Sequence, residues 1–364
     1  MAQVAATFTA NISGYTNSMQ AMTRSTQGMQ SGVGSLASKV SSGMSSIGKV
    51  TMAAGAATTA MGVSSLRSYG TFQNSLNKAG VIAGGTSKDI KGLADMANKM
   101  GADLPLSAQD AADAMIAMAQ DGASINTIKD EFPAIARAAT ATGADLQQTA
   151  GTVQQSMNIW GESLKSPERA AAILTETANL SNASVEDMSG AISNIGGVAK
   201  LAGYGMTEMT EGIGLLTNRG FTAQRASQNL SHAILAMQAP SDKAAGAMKE
   251  LGISYNDSSG KLKPFKTILN EVADATDGMG KSQKAAALKT LFGAAGMNAI
   301  APLLDSVKDK TGKTATSWDA YADAMTKASK DGATSHKFLV GQAGEMQKNI
   351  GAKLDQVSGN WESL

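Results

Sequence analysis

Apolar and small residues recur along the first part of the chain with alternating steps of four and three. Starting at Ile12, the positions are Ile12, Tyr15, Met19, Met22, Thr26, Met29, Val33, Leu36, Val40, Gly43, Ile47, Val50, Ala54, Ala57 and Met61. A 3.5-residue period kept this long predicts an extended helix that packs against copies of itself or against partner helices. The residues that we expect to carry this packing stripe are Met19, Met22, Met29, Val33, Leu36, Val40, Ile47 and Val50.

The flanking positions of this N-terminal arm are unusual for a free coiled coil. They hold Ser, Thr and Gly where Glu and Lys would normally form bridges. Each glycine costs about 1 kcal/mol relative to alanine in a helix interior. We therefore expect the arm to become ordered only inside an assembly that supplies the packing.

The middle of the chain predicts a series of short, capped helices. Ser107 is followed three residues later by Asp110, as in a capping box, and Pro167 stands where a first helical residue is expected. Met115 and Met118 then fall on one face of the helix that begins after Ser107, and we predict that they pack against other helices. Further start signals are Ser124, Ser166, Ser184 and Thr207, and the stop or turn signals are Gly101, Gly122, Gly143, Gly161, Gly203 and Gly220.

These signals indicate an all-α protein whose core has a weak two-fold internal repeat. A shift of about 77 residues superposes Ser107 on Ser184 and Asp145 on Thr222. Near the end of the chain a helical stripe, Met346, Ile350, Leu354, Val357, Trp361 and Leu364, continues without a stop signal, which suggests a fragment of a longer protein. The expected parts are an extended heptad-like helical arm (1–67), a helical core with two related units (68–240), a second helical part of the core (241–305), and a polar linker with the start of a further long helix (306–364).

Composition narrows the function classes. The chain has 364 residues, 39 glycines, 21 methionines and no cysteine, so disulfides and thiolate chemistry are excluded. The net charge is +1, but residues 1–88 carry six basic and no acidic side chains. Such an arm could meet an anionic partner, yet its charge is dilute and lacks interleaved aromatics, which argues against nucleic-acid binding. No apolar run is long enough to predict a stable membrane span.

The chain offers little catalytic chemistry. The stretch Ala275–Ser282, "ATDGMGKS", fits a relaxed phosphate-binding loop, in which Lys281 would reach the phosphates and Ser282 a magnesium ion. Such a loop must follow a buried strand, whereas the preceding residues have a helical period. His232 and His336 are far apart and lack a carboxylate cluster at metal-binding spacing. We therefore predict no enzyme activity, no catalytic or metal site and no cofactor.

The succession of motifs is the most informative feature. It runs from "MGADLPLSAQDAADAMIAMAQDGAS" through "FPAIARAATATGADLQQTAGTV" and "ANLSNASVEDMSGAISNIGGVAKLAGYGMTEMTEGIGLLTNRGFTAQRASQNLSHAIL" to "LKTLFGAAGMNAIAPLL". This order, over about residues 65–305, resembles the core region of the tape-measure proteins of long-tailed, siphophage-type bacteriophages, whose N-terminal part this chain would represent.

The resemblance implies a structural protein of the virion tail, assembled in the bacterial cytoplasm. It would set the tail length, template tube assembly and occupy the tube lumen until genome ejection. The implied partners are further copies along the tail axis, the tail-tube protein, tail assembly chaperones and distal tail or tip proteins. Two alternatives stay open from the residues alone: a generic oligomeric helical scaffold or signalling rod, and a nucleotide-binding enzyme built on the loop at Lys281.

Overall fold

The structure is a computed structural model that describes residues 68–348. Contacts divide the chain into two units, Met1–Ser64 and Ser65–Leu364, and the described residues belong to the second. The predicted arm with its packing stripe, and the end of the predicted C-terminal helix, lie outside the described residues. Their helical periods stay predictions.

Between residues 68 and 348 the chain forms fourteen α-helices and no strand, with one isolated antiparallel bridge between Asn256 and Leu262. The all-α prediction is confirmed. The helices are α1 (68–82), α2 (Ser87–Asp103), α3 (Ala108–Gln120), α4 (Ile125–Thr142), α5 (Leu146–Leu164), α6 (Pro167–Leu180), α7 (Val185–Ala202), α8 (Met206–Thr217), α9 (Ala223–Gln238), α10 (Asp242–Leu251), α11 (Phe265–Ala275), α12 (Lys281–Lys308), α13 (Trp318–Ser329) and α14 (Gly332–Met346).

Side-chain caps define most of the helix starts. Ser107 and Ser184 each form a full capping box with the aspartate three residues on, Asp110 and Asp187. Ser124 and Ser166 also accept a backbone N–H of the first turn, and Pro167 is the first residue of α6. These four predicted N-caps therefore lie where the sequence places them.

Three predicted boundaries are wrong by a few residues. The helix expected after Thr207 begins at Met206, with Gly205 as its N-cap, and its first side chain is buried. Gly101 lies inside α2, because the helix continues to Asp103. Gly161 lies inside α5, whose C-cap is Lys165 in the left-handed conformation at φ 64°. The buried side chains of Trp160 and Leu164 keep α5 helical past this glycine.

The helices pack in layers. In the first layer α3, α5, α7, α9 and α12 lie side by side in that order. In the second layer α2, α4, α6 and α8 lie side by side in that order. The helices of the two layers alternate along the chain from α2 to α9. On the far side of this second layer, α14 packs against α4 and α6, and α13 against α6 and α8. Helices α4, α6 and α8 of the second layer are therefore covered on both sides, which explains why α8 is buried at every residue from Met209 to Thr217.

The first four helices of the first layer, α3, α5, α7 and α9, start at nearly constant intervals. Their N-caps Ser107, Asp145, Ser184 and Thr222 follow one another after 38, 39 and 38 residues. The residues four, eight and eleven positions after each cap are all at most 1% exposed: Ala111, Thr149, Met188 and Ala226; Met115, Val153, Ile192 and Leu230; Met118, Ser156, Ile195 and Ala233. Equivalent turns of successive helices thus face the same core. Half of the predicted 77-residue interval corresponds to one first-layer helix with the helix that follows it. The weak two-fold internal repeat stays a prediction.

The last part of the described chain is less regular. Helix α12 is broken at Gly293, whose φ of 73° and ψ of 173° are not helical, as expected for a glycine-interrupted helix pair. The polar segment before α11 forms a small turn closed by the Asn256–Leu262 bridge. Helices α10 and α11 both pack on α12 and close this end of the first layer.

Candidate functional site

The predicted packing residues Met115 and Met118 lie on α3 and are fully buried. They occupy two of the equivalent positions that α3, α5, α7 and α9 all bury, and α3 packs against α2, α4 and α5. Methionine fills irregular gaps between helices because its side chain is unbranched and flexible. Their place in the core means that they hold the folded unit together, and they are not exposed to a partner.

Arg169, at the start of α6, connects three helices. Its guanidinium donates to the carbonyl oxygens of Ser163 and Leu164 at 3.1 Å, and to that of Ser329 at 3.0 Å. The first two carbonyls end α5 and the third ends α13. A cation at the last carbonyls of two helices satisfies acceptors that have no partner inside their own helix. Arg169 therefore fixes α13 to the layered helices.

A buried polar junction joins α8, α11 and α13. Glu211 Oε2 accepts a hydrogen bond of 3.0 Å from the indole Nε1 of Trp318. One turn earlier, Glu208 Oε1 accepts from the backbone N–H of Phe265 at 2.6 Å, at the start of α11. Because Pro264 precedes this helix and offers no side-chain cap, Glu208 caps it from another helix.

Burial changes the ionisation of these two acids. Desolvation, with a smaller contribution from the charge of Glu208, raises the pKa of Glu211 from 4.5 to about 8, although the hydrogen bond from Trp318 and the charge of Lys266 oppose the shift. Desolvation also raises the pKa of Glu208, although hydrogen bonds from the backbone of Phe265 and Lys266 oppose the shift. The aromatic rings of Tyr204, Phe265 and Trp318 stack in sequence beside the two acids, with centroid separations of 5.7 and 6.0 Å. At neutral pH Glu211 is therefore mainly uncharged.

Sequence reasoning missed this polar junction. Glu211 and Trp318 are 107 residues apart, so no local pattern connects them. A signal does exist in "MTEMTEGIGLLT", where two glutamates three residues apart stand in a helix rich in Gly, Leu and Ile. A carboxylate on such a helix is buried only when a partner group is supplied, and the partner could not be read from the sequence.

The "ATDGMGKS" stretch has no phosphate-binding geometry. The element before it is α11, a helix, and Lys281 is the first residue of α12 after its N-cap Gly280. A phosphate-binding loop requires a preceding strand that directs the loop at the nucleotide.

The side chains of His232 and His336 are both exposed, and no group of three His, Asp or Glu side chains within residues 68–348 could hold a metal ion.

One cleft of about 550 Å³ lies between α6, the 309–317 loop, α13 and α14. The charged residues that line this cleft are both acidic and basic, and Lys310 pairs with Asp319 at 2.8 Å.

Among the described helices, Lys281–Lys308 is long and apolar enough to cross a membrane by length and composition. That helix is α12, whose apolar face packs on α9 and α11 as a core helix does.

Comparison with known proteins gives the family. A family model described as "Phage-related minor tail protein" matches residues 94–293, which is more than half of the chain. The chain belongs to this family. The matched region of the chain runs from α2 to the break in α12 and contains most of the layered helices. The resemblance identified from the succession of motifs is confirmed, over a slightly shorter stretch than predicted.

The chain is similar to two curated phage proteins. It is 26% identical over 303 residues to the "Tape measure protein" of Pneumococcus phage Dp-1, covering 83% of this chain and 25% of the relative. It is 28% identical over 282 residues to the "Probable tape measure protein" of Escherichia phage P2, covering 76% of this chain and 33% of the relative. The aligned part of the chain thus spans between a quarter and a third of the length of these relatives. No solved structure is significantly similar to it.

Proposed function

We propose that this chain is the ruler-bearing part of a tape-measure protein, which sets the length of a phage tail and templates assembly of the tail tube. The observation that carries the proposal is the similarity over more than three quarters of the chain to two proteins named as tape measures. Both alternatives from the residues lose support, because the family is one of tail proteins and the loop at Lys281 follows a helix.

The proposal gives the two parts of the chain different tasks. The layered core of α1–α14 is a folded unit of fixed size, whereas the heptad stripe between Ile12 and Met61 is the part whose length can measure distance. A helix gains about 1.5 Å per residue, so its span is proportional to its residue count. An arm that needs neighbours to become ordered would acquire that span only during tail assembly.

The proposed partners follow from this role. Several copies pack along the tail axis through the stripe of Met19, Met22, Met29, Val33, Leu36, Val40, Ile47 and Val50. The tail-tube protein then surrounds them, tail assembly chaperones hold the chain before that step, and distal tail or tip proteins anchor one end. The basic arm suits an acidic tube lining. The protein acts by packing and length, with no catalytic step and no cofactor.

The test is to lengthen the ruler in the phage that encodes it. Duplicating residues 15–49 adds 35 residues and keeps the three-and-four spacing across the junction. If the added segment is helical, the tails should become longer by about 50 Å. Tail length is measured on negatively stained virions by electron microscopy.

The matched control inserts the same 35 residues after Gly260, in the exposed turn closed by the Asn256–Leu262 bridge. That insertion adds chain to a loop of the folded core, so tails of normal length are expected. Normal tails from the duplication, or equal lengthening by both insertions, would contradict the assignment of the ruler to the arm.

A further inference from the structure

Helix α13 meets α8 through two contacts in register. Trp318 Nε1 donates to Glu211 Oε2, and three residues further on each helix Tyr321 lies directly against Gly214. A β-carbon on Gly214 would overlap the phenol oxygen of Tyr321 and lie 2.7 Å from its Cζ atom. A β-carbon on Gly212 would lie 3.6 Å from the Trp318 ring. The close approach of the Tyr321 ring to α8 therefore requires glycine at position 214, whereas a β-carbon at position 212 would be in ordinary van der Waals contact with Trp318.

Glu211 is the one acid of this contact that water hardly reaches, since its exposed fraction is 7%. The groups that face the junction can be named element by element. Glu208 stands on α8 itself, Lys266 on α11, and Asp319 and Tyr321 on α13. Glu176 of α6 acts on Tyr321 from the other side. Against Gly212, α9 and α12 contribute the apolar side chains of Leu230 and Leu303.

Lys266 is the one cation among these groups, and it already has a carboxylate partner. Lys266 forms an ion pair with Asp319, which also pairs with Lys310 at 2.8 Å. An ionised Glu211 would therefore be a buried charge with a like charge, Glu208, one turn away, and with a cation shared with another carboxylate. Such a charge is costly while the contact stays closed, and water would remove the cost if α13 moved away.

We propose that the Glu211–Trp318 contact is a proton-controlled latch, in which neutral Glu211 holds α13 on α8 and ionised Glu211 releases it. The release is local because α13 lies outside the two continuous layers and is bounded by the loop 309–317 and by Lys330–Asp331. When α13 leaves, it uncovers the faces of α6 and α8 on which it packs. Most of the buried side chains of α6 and α8 are Ala, Leu, Ile and Thr.

The direction of the pH effect follows from linkage. Burial raises the pKa of Glu211 to about 8, whereas the solvated carboxyl of the released state titrates near its ordinary value of 4.5. Between these values the closed state binds a proton that the released state has lost. The latch is therefore fully closed below pH 4.5 and weakens as the pH rises towards 8.

The experiment is hydrogen exchange with mass spectrometry on the full chain, for the wild type and Glu211→Gln, from pH 6 to pH 9. The glutamine keeps an acceptor for Trp318 and cannot ionise. Comparing the two proteins at each pH cancels the intrinsic pH dependence of exchange. We expect the wild-type to variant ratio of exchange rates in α13 to rise on the order of tenfold per pH unit between pH 6 and 8, with no such rise in α3.

Glu131→Gln is the matched control, since Glu131 is a second buried glutamate, on α4, and has no contact with the latch. It should leave the wild-type pH dependence of α13 unchanged. A constant ratio for Glu211→Gln, an equal rise in α3, or loss of the α13 effect in Glu131→Gln would overturn the latch.

A second variant keeps the test decisive if Glu211→Gln fails to fold. Trp318→Phe removes the indole donor and retains a ring beside Phe265. With the contact missing, α13 should exchange faster than in the wild type already at pH 6. Wild-type protection of α13 in this variant would show that the contact does not hold the helix.

Discussion

Glu131 shows at the scale of one residue how the core limits the pH range of the fold. Its carboxyl is buried in α4 and one oxygen, Oε2, has no hydrogen-bond partner. Desolvation, with a smaller contribution from Asp130, raises the pKa of Glu131 from 4.5 to about 7. The folded state therefore binds a proton that the unfolded state has lost between these values, and the free energy of unfolding falls as the pH rises through this window.

Glu131→Gln is expected to remove that loss. Relative to the wild type, the variant should gain about 1 to 3 kcal/mol in the free energy of unfolding on going from pH 5 to pH 8. Urea unfolding followed by circular dichroism at the two pH values measures the gain. The same wild-type to variant difference at both pH values would show that the carboxyl is not protonated in the folded state.

Arg169 gives a second prediction at this scale. Arg169→Ala leaves the carbonyl oxygens of Ser163, Leu164 and Ser329 without their shared donor, so we expect a loss of about 2 to 3 kcal/mol in the free energy of unfolding. Lysine has one compact ammonium in place of the planar guanidinium and should recover only a small part. Arg225→Ala, at an exposed position of α9, serves as the control and should change stability by less than about 0.5 kcal/mol. Equal effects of the two alanine variants in urea unfolding would contradict the role of Arg169.

At the scale of the element, the sequence predicts helix caps, because a cap depends on neighbouring residues. It does not predict the packing of helices that are distant in the chain. The caps Ser107, Ser124, Ser166 and Ser184 are correct because a Ser side chain at a helix start needs only its own first turn. Gly101 and Gly161 were misread as helix ends because a glycine inside a helix is tolerated where burial stabilises the turn around it. Gly101 is such a case, since a β-carbon there would come within 3.3 Å of the backbone of Ala108.

The α8–α13 pair supplies the prediction at this scale. Gly214→Ala would place a methyl group on the phenol of Tyr321, so α13 must shift, and we expect a loss of at least about 2 kcal/mol. Gly190→Ala in α7 is matched in chemistry but meets nothing within 4 Å, and should be neutral or stabilising by up to about 1 kcal/mol because alanine favours the helix. Thermal unfolding of both variants checks the contrast. Similar melting temperatures for the two would mean that α8 and α13 do not approach as closely as described.

At the scale of the whole molecule, the sequence predicted the fold class and the order of the helices but not their layering. Alanine-rich helices such as α6 expose similar surfaces in every direction, so periodicity did not reveal that α6 is covered from both sides. The contacts of the two acids on α8 could not be predicted for a related reason: Glu211 accepts from Trp318, 107 residues later, and Glu208 from the backbone of Phe265, 57 residues later. By contrast, the family was readable because it depends on the succession of many motifs along the chain.

The proposed division of tasks predicts how the parts behave in solution. A chain beginning at Ser68 should melt as one cooperative helical unit, because the described helices share a contiguous core. The full chain should show little additional helix and the same oligomeric state, since the arm lacks its assembly partners. Circular dichroism and sedimentation of the two proteins side by side decide this. A strongly helical arm whose removal changes only the oligomeric state would identify it as a preformed coiled coil.

The regular spacing of the first-layer helices also has a consequence for how such a gene can change. The helices α3, α5, α7 and α9 bury equivalent turns at intervals of 38 or 39 residues. We therefore expect gain or loss of one whole pair, a first-layer helix with the helix that follows it, to disturb the core less than gain or loss of a single helix. Such a step of about 38 residues would be separate from the single-residue increments by which a helical ruler grows.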